Sequence, residues 1–61
     1  MYTYRVIKED YNTGQQGTRC RVITRNRPLT VGGLYFHLGK GFRGCWRVLE
    51  LIETVSEVVD L

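Results

Sequence analysis

Arg19, Arg21, Ile23, Arg25 and Arg27 occupy alternate positions along one stretch of this chain, with Cys20, Val22, Thr24 and Asn26 between them. A helix would scatter these arginines around its axis. A strand sends alternate side chains to opposite faces, so all four guanidinium groups would leave from one face over roughly 26 Å. The pattern therefore predicts an extended segment over Arg19–Asn26 with a charged row that needs a counterpart. Pro28 ends it, because proline cannot donate to a ladder.

The rest of the chain is divided in the same way. Seven glycines and one proline cut its 61 residues into short pieces. Tyr2–Lys8 alternates Tyr2, Tyr4 and Val6 against Thr3, Arg5 and Ile7, with the aromatic and β-branched content of a strand. Gly14 and Gly17 mark a polar loop after Asp10. Leu34–Leu38 alternates Leu34, Phe36 and Leu38 against Tyr35 and His37, which predicts a third strand. Gly39-Lys40-Gly41-Phe42-Arg43-Gly44 is a hairpin loop. Cys45–Glu53 is apolar on both faces, as a central strand would be.

The C-terminus supports two assignments. Arg47, Glu50, Glu53, Glu57 and Asp60 recur every three to four positions, leaving Val48, Leu49, Ile52, Val55 and Val59 as the apolar face of a helix. The Val, Ile and Thr content favours strands. The expectation adopted is a strand, a turn at Glu53–Glu57 and a short fifth strand, with a helix over Val48–Leu61 as the alternative. Five short strands imply a single all-β domain over residues 1–61, a small barrel or sandwich. A chain this short buries only about 60% of its unfolded surface, too little for both a core and a deep cleft.

Leu29-Thr30-Val31-Gly32 followed by Leu34-Tyr35 resembles the turn leading into a strand in SH3-like barrels. Gly33, Tyr35, His37, Gly39, Val48, Leu49, Glu53-Thr54, Glu57 and Val58-Val59 resemble the spacing in an uncharacterised family of small bacterial β-domains, Gly39 standing one residue early. With the five strands, the first resemblance implies a small SH3-like barrel; the second implies a β-barrel-like fold of unknown activity.

Charge distribution says more than the net charge of +3. All six acids lie near the ends: Glu9, Asp10, Glu50, Glu53, Glu57 and Asp60. Between Tyr11 and Leu49 there is no acid, while Arg19, Arg21, Arg25, Arg27, Lys40, Arg43 and Arg47 all fall there. Such a block faces an anionic partner or pairs with the acidic strand of the same fold. Arginine forks match phosphate geometry. Lys40 and Arg43 add charge on a glycine loop whose backbone approaches closely, although it lacks the Lys-Ser/Thr end and helix of a P-loop. Phe42 between them either stacks on a base or folds back onto the core. Tyr35, His37 and Trp46 are candidates for an aromatic surface beside the arginines, or for core packing.

The competing structural expectations are a cross-strand ladder of the arginines with Glu50, Glu53 or Glu57, or an edge strand kept from aggregation by charge. The functional expectation is a weak nucleic-acid-binding module acting through phosphate. The alternative is a protein-interaction or self-association module, a homodimer included, meeting an acidic partner. No nucleophile, base and orienting group occur at a suggestive spacing, so the chain is expected not to be an enzyme and to carry no cofactor. Cys20, Cys45 and His37 have no paired metal-ligand spacing. Met1-Tyr2-Thr3-Tyr4-Arg5 has no signal-peptide run, and no stretch approaches the roughly 20 apolar residues of a membrane span. Those features predict a cytoplasmic protein whose two cysteines are reduced and buried.

Overall fold

The computed structural model describes residues 1–55. They form an all-β unit with no helix. The strands are β1 (Tyr2–Glu9), β2 (Gln16–Arg25), β3 (Leu34–Phe36) and β4 (Cys45–Thr54). They make one open antiparallel sheet in the order β2-β1-β4-β3. The two long apolar segments, β1 and β4, take the central places, as the apolar content on both faces of β4 requires. No helix here is long and apolar enough to cross a membrane.

Two loops fold over one face of the sheet, here called the inner face. Tyr4, Val6, Ile23, Trp46 and Val48 form the core on that face, and Tyr2, Leu29, Tyr35, Leu38 and Phe42 pack against it. Val6 and Val48 are opposite each other and fully buried. Tyr4 keeps its hydroxyl satisfied by accepting the backbone N–H of Leu29 at 2.8 Å, and Tyr35 does the same for Thr30 at 2.7 Å. That second bond holds the Tyr35 phenol below its ordinary pKa.

On the outer face Ile7, Glu9 and Cys45 are buried. The Glu9 carboxylate takes Arg47 Nε at 3.1 Å and Nη2 at 2.6 Å, and Gln16 Nε2 at 3.1 Å. Arg47 Nη1 also reaches the Gly32 carbonyl at 2.8 Å. This one pair ties β1, β2, β4 and the turn before β3 together, and no buried side-chain polar atom of the described residues is left without a partner.

The ambiguity of the C-terminal stretch is settled as far as Val55. β4 is extended to Thr54, and the Val55 N–H bonds the Met1 carbonyl at 2.8 Å. The strand therefore runs through the start of the turn expected at Glu53. The register explains the helix-like stripe. Against β1, Val6 pairs with Val48 but Arg5 with Glu50, and Tyr4 pairs with Leu51 but Thr3 with Glu53. Leu49 and Ile52 are thus the extra residues of two bulges. Each bulge resets the alternation by one, so Arg47, Glu50 and Glu53 all reach the outer face at a spacing of three. The expected fifth strand lies outside the described residues, and those described form a four-stranded open sheet.

Candidate nucleic-acid interface

The arginine row divides. Arg19, Arg21 and Arg25 lie on β2, but the strand ends at Arg25 and Arg27 stands in the bend before Pro28. Ile23, in the gap of the row, is buried in the core, which fixes the row on the inner face. Arg21 lies over the Phe42 ring, its Cζ 4.0 Å from the centroid and 5.8 Å from that of Trp46, and Nη1 donates to the Gly41 carbonyl at 2.6 Å. Arg25 donates to the carbonyls of Thr24 and Leu38. Two of the four arginines therefore clamp the Gly39–Gly44 loop onto the sheet, and Arg19 and Arg27 stay exposed.

The loop is shaped for that clamp. His37 has φ 52°, which ends the β3 alternation and turns Leu38 toward the core while Phe36 stays on the outer face. This corrects the expectation that Leu34, Phe36 and Leu38 share a face. Gly39, at φ 147°, sits where a Cβ would come within 3.0 Å of Arg25 Nη2. Phe42 N–H bonds the Gly39 carbonyl at 2.9 Å and His37 N–H bonds the Gly44 carbonyl at 3.0 Å, closing the hairpin. Phe42 folds back, edge-on to Trp46 with centroids 5.2 Å apart. Trp46 is itself core, and its Nε1 donates to the Arg43 carbonyl at 3.1 Å. Tyr35 packs against the core beside it, whereas His37 is exposed, so these three rings do not make one surface.

Lys40 and Arg43 are exposed on the hairpin. A further cation, not singled out by sequence, belongs with them. Lys8 follows Val6 on the inner face of β1, pairs with Trp46, and its Cε would lie 3.5 Å from a Cβ on Gly44. Alternation puts Arg19 on that same face, just past the Ile7–Cys20 pair. The signal for Lys8 was the phase of β1 itself, once the neighbouring strand was known.

The counter-charges lie elsewhere. Among the described residues the ion pairs are Arg5–Glu50, at 3.1 Å, and Arg47–Glu9, at 2.6 Å. β1 separates β2 from β4, so a ladder from the β2 arginines to Glu50 or Glu53 does not form, and Glu57 lies outside the described residues. β2 is, however, an edge strand, a place where charged side chains disfavour pairing with other chains. Arg47 and Glu9 stabilise each other's charged forms. The Arg47 hydrogen bonds, then that of Gln16, hold the Glu9 carboxyl below its ordinary range, and Glu9 in turn raises Arg47.

Both cysteines are free, but only Cys45 is buried; Cys20 is exposed on the edge strand, which corrects the expectation for it. Burial, then the nearby Glu9 charge, pushes the Cys45 thiol up. No three His, Cys, Asp or Glu side chains among the described residues come together as metal ligands. No protein-family model, curated protein or solved structure matches the chain.

Proposed function

We propose that this chain is a small non-catalytic module that binds nucleic acid weakly through the phosphate backbone. The contacting cations are Arg19, Lys40, Arg43 and Lys8, with Arg27 beyond the end of β2. Arg21 and Arg25 support them by holding the hairpin. The scaffold we infer is a small open barrel of the SH3-like kind, which the Leu29–Tyr35 resemblance and the two loops packed over one sheet face support.

The observation that carries the reading is the absence of any carboxylate within ion-pair distance of these cations among the described residues, although the chain pairs Arg5 and Arg47 elsewhere. Guanidinium and ammonium groups left without an internal counter-charge attract a polyanion at long range and release its counterions on contact. The test is fluorescence anisotropy with a labelled single-stranded oligonucleotide and a duplex of the same length, at low salt where electrostatic association is strongest. Binding of both, weakened by combined R19A/K40A/R43A substitution, is the expected result. Absence of binding to either at low salt would remove the reading.

A further inference from the structure

Of the rings expected to stack on bases, Trp46 is buried and Phe42 and Tyr35 pack against the core, while a different pair is exposed together. Tyr11, in the β1–β2 loop, and Phe36, at the end of β3, lie with ring centroids 5.3 Å apart and planes tilted by 60°. Tyr11 is 68% exposed and Phe36 55%. Aromatic rings bury large areas when a fold can use them, and here two come together on the outer face with more than half of each in solvent.

The surroundings say what kind of partner suits them. Phe36 pairs with Cys45, and the next ladder contact, His37 to Gly44, opens directly into the hairpin that carries Lys40 and Arg43. The aromatic pair thus sits at the foot of the basic hairpin. The exposed aliphatic residues Leu49, Leu51, Ile52 and Val55 lie on the far stretch of β4, at the end where Thr54 faces Tyr2. Among the described residues, the neighbouring carboxylate outside an ion pair, Asp10, is turned into its own loop, accepting the N–H groups of Asn12 at 2.8 Å and Thr13 at 3.1 Å. An exposed aromatic pair whose strand leads into a cation-bearing hairpin suits an unpaired base attached to a phosphate chain; a duplex keeps its bases stacked inside.

We infer that Tyr11 and Phe36 form a stacking platform for an unpaired base of a single strand whose phosphates lie along the Lys40/Arg43 hairpin. The inference rests on the phosphate reading and narrows it to single-stranded nucleic acid.

The experiment uses a short single-stranded DNA carrying one 2-aminopurine, whose fluorescence is quenched by stacking. The wild-type chain is expected to quench it. Phe36→Leu keeps an apolar side chain over Cys45 but removes the ring, and should lose about tenfold in affinity for the single strand, since stacking contributes roughly 1–3 kcal/mol per base. Its salt slope and duplex binding should not change, and Cys45 should remain protected from thiol reagents. If Phe36→Leu does not fold, Tyr11→Leu in the exposed loop carries the same expectation. Salt-dependent binding without quenching, or variants that bind and quench like wild type, would overturn the platform and leave the phosphate reading standing. If the wild-type chain binds no oligonucleotide, the phosphate reading fails. The platform is then decided by titrating adenosine monophosphate against the Phe36 and Tyr11 ring protons, where unshifted resonances would overturn it as well.

Discussion

Arg21 and Arg19 are two residues apart on one strand and face the same way, yet they have different work. Arg21 covers the Phe42 ring and holds the Gly41 carbonyl, whereas Arg19 is exposed and in no ion pair among the described residues. Arg21→Ala should therefore destabilise the fold by about 1–2 kcal/mol, from the lost cation–π contact and the charged hydrogen bond. Arg19→Ala should stay within about 0.5 kcal/mol. Urea denaturation of the two variants checks this, and equal midpoints would show that the clamp is not holding the loop. The thiols divide similarly. Without denaturant, Cys20 should react with a thiol reagent quickly and Cys45 slowly; equal rates would contradict the exposure of Cys20 on the edge strand and the burial of Cys45.

At the scale of elements, the Glu9–Arg47 pair joins four segments by one buried carboxylate. Its folded-state pKa is lowered, so the stability it supplies is complete above the ordinary carboxylate range. That stability is lost as pH falls through the depressed value. Glu9→Gln should be less stable than wild type at neutral pH, and the gap should narrow below about pH 4. Thermal melts of both proteins across pH 2–7 measure it, and a gap that stays constant would mean the carboxylate charge is not what holds the pair.

The elements also show what the sequence could convey. Period-two alternation located β1 and β2, and apolar residues on both faces located β4, each to within a few residues. The spacing of Arg47, Glu50 and Glu53 raised a helix as the alternative to the strand adopted, since two bulges in β4 produce a period of three in an extended chain. The start of β3 was legible but its end was not, because His37 takes a left-handed conformation that nothing in Phe36-His37-Leu38 announces. The arginine row was legible as a row. Its division between clamp and exposed cations depends on a loop folding back across the sheet, a long-range contact that local pattern does not encode. Lys8 and the Tyr11–Phe36 pair went unnoticed for the same reason.

For the whole molecule, the cations of the described residues fall into two groups, those in ion pairs and those in none. Arg5 and Arg47 are neutralised by Glu50 and Glu9, while Arg19 on β2 and Lys40 and Arg43 on the hairpin are exposed and in no ion pair among the described residues. A surface of that kind binds a polyanion with little dependence on its sequence and with strong dependence on salt. The measurement that tests this most directly is the affinity for a single-stranded oligonucleotide as a function of salt, for wild type and for the R19A/K40A/R43A variant. If each of the three groups meets one phosphate, the slope of log affinity against log salt should be about 2 units shallower in the variant, at roughly 0.7 per phosphate on a single strand. The variant should remain folded. An unchanged slope, or a wild-type protein that does not bind at low salt, would contradict the account.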